Sequence, residues 1–189
     1  MLPHTVAAFF KLIRSNMVKS LYERFISDYN EADMILIGIG SQLHGNVVKQ
    51  DDRIRLLRYY LEKIEKKNYF IITTLTDDAF LESGYNRRRL VRPLLVQDVE
   101  DEEKQWELYN KWLSATLNKK LMIIELGEDF NHPNIFRWPF EKVVFVNQKS
   151  YMYRVHDVFY QLPENIGDRA TSVEMNALTF LQELSVLLN

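Results

Sequence analysis

Three short segments carry residue types suited to holding a phosphorylated ligand, and each directly follows an apolar run. In Gly38-Ile39-Gly40-Ser41-Gln42, two positions without side chains let backbone N–H groups approach a phosphate, and Ser41 adds a hydroxyl. No third glycine completes the dinucleotide fingerprint, so a plain strand-to-helix turn stands beside that reading. Thr73-Thr74-Leu75-Thr76-Asp77-Asp78 collects hydroxyls and two carboxylates. Asp77 or Asp78 can accept from a ribose hydroxyl or an amide, or can cap a helix starting near Asp77. Adjacent side chains diverge, so one carboxylate can cap while the other faces a ligand. Gly127-Glu128-Asp129-Phe130-Asn131-His132-Pro133-Asn134 is rich in hydrogen-bonding groups, and is equally the composition of an ordinary turn.

The preceding runs fix what must position these segments. Asp33 to Ile37, Tyr69 to Thr73 and Leu121 to Leu126 are continuously apolar or nearly so, as strands buried on both faces of a parallel sheet are. Between them, Asp51 to Lys67 places Ile54, Leu57, Leu61 and Ile64 on one helical face, and Glu100 to Leu117 reads as a charged helix with an acidic, solvated start at Asp98 to Glu103. Tyr151 to His156 is a candidate fourth strand, Asn134 to Val146 reads as helix plus strand or loop, and Thr171 to Leu188 closes the chain as a helix. At the start, Val6, Phe9, Phe10, Ile13, Met17, Leu21, Phe25 and Ile26 recur at helical steps, making residues 1–31 one or two helices. Alternating strands and helices predict an α/β, Rossmann-like parallel sheet flanked by helices, with ligands at the carboxyl ends of its strands.

Composition narrows the function. The 189 residues suit a single domain spanning 1–189, with no repeat or low-complexity linker. Twenty-four basic against 26 acidic side chains leave a formal charge of -2, without the excess that nucleic acid requires. No cysteine is present, which removes disulfides, thiol nucleophiles, iron–sulfur clusters and thiolate zinc sites. No stretch has the roughly 18 apolar residues of a membrane span, so a cytoplasmic protein with no membrane partner is expected. The four histidines show no helical pairing with a carboxylate, and no metal is expected. There is no nucleophile elbow and no Gly-Lys-Ser or Gly-Lys-Thr phosphate loop.

Taken in order, the three segments resemble the sirtuin family of NAD-dependent deacylases and ADP-ribosyltransferases. Ala32 to Ser41 is similar to the family's opening strand and Gly-Ala-Gly turn, and Tyr69 to Asp77 to the strand carrying its Thr-Gln-Asn-Ile-Asp motif. Ala79 to Gly84 is similar to the segment that follows. Ile124-Glu125-Leu126-Gly127, Phe130-Asn131-His132-Pro133 and Phe136-Arg137-Trp138-Pro139-Phe140-Glu141 resemble the macrodomain-linked microbial sirtuins, where this loop meets the cofactor phosphates. Arg154-Val155-His156 sits where the family has an asparagine on the adenosine ribose, and Leu162 to Ala170 resembles the approach to the last helix.

The resemblance implies NAD or ADP-ribose as ligand. Phosphates would meet Gly40, Ser41 and Gly127 with Asn131; Asp77 would face the nicotinamide-side ribose or amide; His156 would face the adenosine ribose. Gly38, Gln42, Thr73 and Thr74 complete the expected cleft. It also implies losses. The family's general-base histidine has no counterpart between Phe80 and Gln97, and the asparagine of the nicotinamide pocket aligns with Leu75. The zinc ribbon is replaced by a helical insert at 98–118. The expected function is therefore NAD or ADP-ribose binding without deacylation. One alternative is an active ADP-ribosyltransferase or deacylase with a relocated base, His44 or Asp78. Another is an interaction module with a protein partner, its cleft filled by its own side chains. Arg87, Arg88, Arg89 and Arg92 either bind an acidic group or pair with Asp98 to Glu103, and Phe130, Phe136, Trp138 and Phe140 pack a core or cover the cleft.

Overall fold

Apolar runs that alternate with amphipathic helices can bury both faces only as the middle layer of a sandwich, and the chain folds accordingly. The computed structural model describes residues 3–45, 50–96 and 98–188, with side chains from Met17 onward. In order come α1 (Pro3–Glu31), β1 (Met34–Ile39), α2 (Gln50–Ile64), β2 (Asn68–Thr73), α3 (Ala79–Glu82), β3 (Leu90–Val91), α4 (Val99–Ser114), β4 (Leu121–Leu126), α5 (Arg137–Val146), β5 (Ser150–Val155), β6 (Ala170–Val173) and α6 (Ala177–Leu187). The six strands form one sheet, ordered β3-β2-β1-β4-β5-β6, and every pair is parallel. This is the doubly wound α/β arrangement.

Side-chain alternation along the strands sorts the core into two halves. Ile35, Ile37, Ile39, Ile71, Ile124 and Tyr153 face α1, α2 and α6, where Phe25, Leu57, Leu61, Phe180 and Leu184 meet them. Leu36, Phe70, Ile72, Ile123 and Met152 face α4 and α5, where Tyr109, Trp112, Phe140 and Val144 close over them. Two elements differ from the sequence reading. Leu90–Val91 forms a two-residue edge strand too short to carry a periodic signal, and Ala170–Val173 is a strand preceding α6. Asn134 to Val146 contains turns and α5 but no strand. The N-terminal segment is a single helix; the expected burial of Val6, Phe9, Phe10 and Ile13 lies outside the described side chains.

On the α4/α5 face, position 125 breaks the apolar pattern with a carboxylate, and three more charged residues answer it. Arg154, its register partner on β5, grips Glu125 with Nε on Oε1 at 2.8 Å and Nη2 on Oε2 at 2.9 Å. Arg154 Nη2 also donates to Glu141 on α5, at 2.8 Å, and Arg137 at the start of α5 donates to Glu125 Oε1 at 2.8 Å. Glu125, Arg137 and Arg154 are each at most 2% exposed. Beside them Gly38 makes room for α5: a Cβ there would overlap the Phe136 ring and lie 2.8 Å from Phe140 Cε2. Removing one partner of a buried, hydrogen-bonded charge set typically costs about 3–5 kcal/mol. Arg154→Met should therefore lower the stability to urea by about that much, whereas the exposed pair partner change Lys104→Met, next to Glu100, should shift it by less than about 1 kcal/mol.

Candidate functional site

In a sheet of this order the connections leave β1 and β4 toward opposite faces, and the crevice between their carboxyl ends is where ligands bind in such folds. Two turns form its walls here. The first, Gly40 to Leu43, includes a 3-10 turn over Ser41–Leu43. The second starts at Gly127, whose φ of 65° lies in the left-handed region that favours glycine. The turns are stitched together: Gly40 N–H donates to Leu126 O at 2.8 Å, and Gln42 N–H to Gly127 O at 3.1 Å. They are also tightly packed, since a Cβ on Gly127 would lie 2.5 Å from Gln42 Cβ and 3.1 Å from Ala177 Cβ.

Gly40, Ser41, Gln42, Thr74, Gly127, Asn131 and His156 converge on this crevice. The space that Gly40 leaves is taken by Glu128, whose Oε2 would stand 2.5 Å from a Cβ there. Thr74 Oγ1 donates to the same Oε2 at 2.7 Å. Ser41 Oγ donates to Asp129 Oδ2 at 3.0 Å, and Asn131 donates to Asp129 twice, from its N–H to Oδ1 and its Nδ2 to Oδ2, each at 2.7 Å. Gln42 Oε1 accepts from Ala177 N–H at 2.9 Å, covering the N-terminus of α6, while its Nε2 donates to Asp157 Oδ1 at 2.5 Å. His156, 5% exposed, accepts at Nδ1 from the N–H groups of Val158 (2.9 Å) and Phe159 (3.0 Å). Asp157 Oδ1 also lies 3.0 Å from Nδ1, and burial lowers the imidazole pKa against the pull of that carboxylate.

Three predicted residues serve other contacts. Gly38 faces α5, as described above. Thr73 Oγ1 donates to Ile39 O at 2.8 Å and accepts from Leu75 N–H, joining β2 to β1. Asp77 divides its carboxylate between Arg53 Nη1, at 2.6 Å from Oδ2, and the N–H of Ala79, which donates to Oδ1 at 3.1 Å. Arg53 is buried on α2 and also donates to Leu43 O, so it ties the turn after β1 to the loop after β2.

The two groups considered as substitute bases are engaged elsewhere. His44 Nε2 lies 3.0 Å from Thr76 Oγ1, and the exposed Asp78 lies 3.4 Å from Arg92 Nη1. Leu75 is fully buried. Arg92 thus pairs with Asp78 rather than with the acidic start of α4, whose Glu100 and Asp101 pair with Lys104. Phe136 and Phe140 are buried, whereas Phe130 and Trp138 are about half exposed; Phe130 packs edge-on against Phe159 and beneath the Arg137 guanidinium. Among the described residues, no group of three or more His, Asp or Glu is placed to hold a metal ion, and no helix is long and apolar enough to cross a membrane.

Glu128 and Asp129 were not singled out from the sequence. Their signal was present, in two acids directly after the glycine that ends an apolar run, but acids are common in turns. Burial pushes the Glu128 carboxyl up to about 8, with Asp129 and Glu125 adding to the rise and the Thr74 hydroxyl and Arg137 opposing it. Near neutral pH it is therefore largely the neutral acid, able to sit inside the turn without stranding a charge.

No protein-family model and no curated protein matches the chain. Solved structures share its fold. A sirtuin structure concerned with substrate affinity matches with a TM-score of 0.55 and 11% identity, over 88% of this chain and 98% of that one. A sirtuin in complex with an inhibitor, 2'-O-acetyl-ADP-ribose and a deacetylated peptide matches at 0.55 and 12% identity, over 87% and 98%. An exopolyphosphatase-related protein from Bacteroides fragilis matches at 0.53 and 14% identity over 90% of this chain, which spans only 44% of that protein. These likenesses establish a sirtuin-like, Rossmann-type fold.

The site makes stability depend on pH in a defined window. Because the folded state holds the Glu128 proton to about pH 8, against a reference of 4.5 for a free carboxyl, its contribution is complete below about 4.5 and is lost as pH rises toward about 8. Melting temperatures of wild type and Glu128→Gln should therefore diverge across that interval, the wild type losing stability that the neutral isostere keeps. Parallel melting profiles would show that Glu128 ionises freely.

Proposed function

We propose that this is a sirtuin-like nucleotide-recognition domain that takes NAD or ADP-ribose at the β1/β4 crevice and does not transfer the ADP-ribosyl group. One observation carries this reading: in the crevice, three donors from Ser41 and Asn131 converge on one partly exposed carboxylate, that of Asp129. An anion already sits where the fold would hold a phosphate, and it belongs to a turn at the surface. Once Asp129 turns away, the Ser41 hydroxyl and the Asn131 amide are donors for a diphosphate, whereas the N–H groups of Gly40 and Gly127, expected to meet it, are already given to Leu126 O and Val155 O. Ser41 and Asn131 fit the diphosphate of NAD. When bound, NAD would supply an electrophilic ribose carbon, but none of the candidate bases among the described residues is turned to that ribose: His44 lies against Thr76, Asp78 against Arg92, and His156 is turned toward two backbone N–H groups. A general base is worth roughly 10²–10⁴ in rate, so its loss silences the transfer without preventing binding.

A second reading, a protein-interaction module with a permanently closed crevice, is favoured by Gln42 and Glu128. Gln42 covers the α6 N-terminus and Glu128 fills the space beside Gly40.

Calorimetric titration with ADP-ribose and with NAD, on wild type and on Asp129→Asn, separates the two. Removing one like charge about 4 Å from a phosphate is worth about 1 kcal/mol in water, so Asp129→Asn should bind ADP-ribose about five-fold more tightly. Neither protein should release nicotinamide from NAD over hours. No heat with either ligand on either protein would transfer the function to the interaction module. Nicotinamide release abolished by His44→Ala would instead establish an enzyme with a relocated base.

A further inference from the structure

On the face of the sheet opposite α5 lies a partly open cavity of about 90 Å³, between β1, β2 and β4 below and α1, α2 and α6 above. Its floor is made of branched and short aliphatic side chains, Ile37, Ile39, Ile71, Ile124 and Leu126, and its roof includes Phe25, Leu181 and Leu184. Tyrosines act as struts that keep the roof from settling. Tyr60 spans from α2 to α6 by donating its hydroxyl to Leu181 O at 2.5 Å, and Tyr29 spans from α1 to α2 by donating to Lys63 O at 2.7 Å. Tyr85, from the loop after α3, donates to Leu57 O at 3.0 Å. Each hydroxyl is thus spent on a helix carbonyl, and what the rings show the cavity is carbon.

That bookkeeping decides what can enter. A buried water needs two to four polar partners, and the lining offers none: the buried polar side-chain atoms without a partner, Arg53 Nε and Tyr109 Oη among the described residues, are not in it. Lys63 is the one charged residue of the lining, and its ammonium lies over the Tyr59 ring, 5.0 Å from the centroid. Cavities of this kind stay dry and admit apolar guests; an engineered one of roughly 150 Å³ takes up benzene or xenon.

From these contacts we infer that the space between the sheet and α1, α2 and α6 is a binding site for a small uncharged apolar ligand, of the size of a benzene ring or a short alkyl chain. The site is distinct from the crevice but adjoins it, because Ile39 and Leu126 in its floor immediately precede Gly40 and Gly127. It does not depend on nucleotide binding.

The test uses the whole chain with benzene and, separately, butyrate as probes, read by melting temperature and by the methyl NMR resonances of Ile39, Leu126, Leu181 and Leu184. Benzene at about ten times its Kd should raise Tm by about 3–6 °C and shift those methyls, while butyrate, whose charge would be stranded, should do neither. Leu184→Phe fills the space from α6 and Leu57→Phe from α2; whichever variant folds should lose the benzene response. Absence of methyl shifts with benzene in the wild type, or shifts of equal size in a filled variant, would overturn the assignment, as would a butyrate response equal to that of benzene.

Discussion

The buried cluster of Glu125, Arg137 and Arg154, extended by the part-exposed Glu141, is the constraint on which the site's geometry depends. One carboxylate and two guanidiniums in an apolar layer lose their hydration, and only near-complete hydrogen bonding offsets that loss. The fork of Arg154 on Glu125 supplies part of it. The remaining donors go to backbone carbonyls of the neighbouring loops: Arg137 to Glu128 O at 3.3 Å and Phe159 O at 2.7 Å, and Arg154 to Gln161 O at 2.8 Å. Satisfying the charges therefore places the loops after β4 and β5, and these loops carry Glu128, Asp129, Asn131 and His156. The ion pairs and the crevice are one arrangement.

The same four residues have a common structural role. Their shared role in this chain is to seat α5 and two loops on the sheet, which is a requirement of the fold. At the crevice the chain places acids at 128 and 129, Leu75 in the second loop and a buried His156. The buried charges depend on one another, so changing any one of them strands its partners.

The two faces of the sheet use polarity in opposite ways. Beneath α5, charges are buried and mutually satisfied, and aromatic rings press into the gap left by Gly38. Beneath α1, α2 and α6, the polar atoms of the tyrosines are pinned to helix carbonyls at the edge of the layer, leaving hydrocarbon and a void. Packing on the first face is fixed by directional bonds, on the second by the length of rigid rings. That difference explains why a cavity survives on the second face, where nothing directional draws the helices inward.

Local pattern was enough to dictate the layered α/β fold and the turns at the ends of its central strands. Continuous runs such as Met34 to Ile37 and Leu121 to Ile124 have no polar face to expose, so they must be central strands, and the glycines after them must be the turns. Sequence period also located α2 and α4 to within a few residues and the end of α6, but not its start. It was silent on Leu90–Val91 and Ala170–Val173, because two to four residues hold too little alternation and become strands only when a neighbour offers an edge. It was equally silent on the partners of the charges. Arg53 falls on the apolar face of α2 with Leu57 and Leu61, a legible anomaly, but nothing local names Asp77 as its partner. Glu128 reads as a turn acid until Thr74, 54 residues away in sequence, and the gap beside Gly40 make it a buried, protonated one. Period and turn chemistry are local and survive in a string; hydration, pairing and the ionisation of a carboxyl depend on which surfaces meet, and only the tertiary structure decides that.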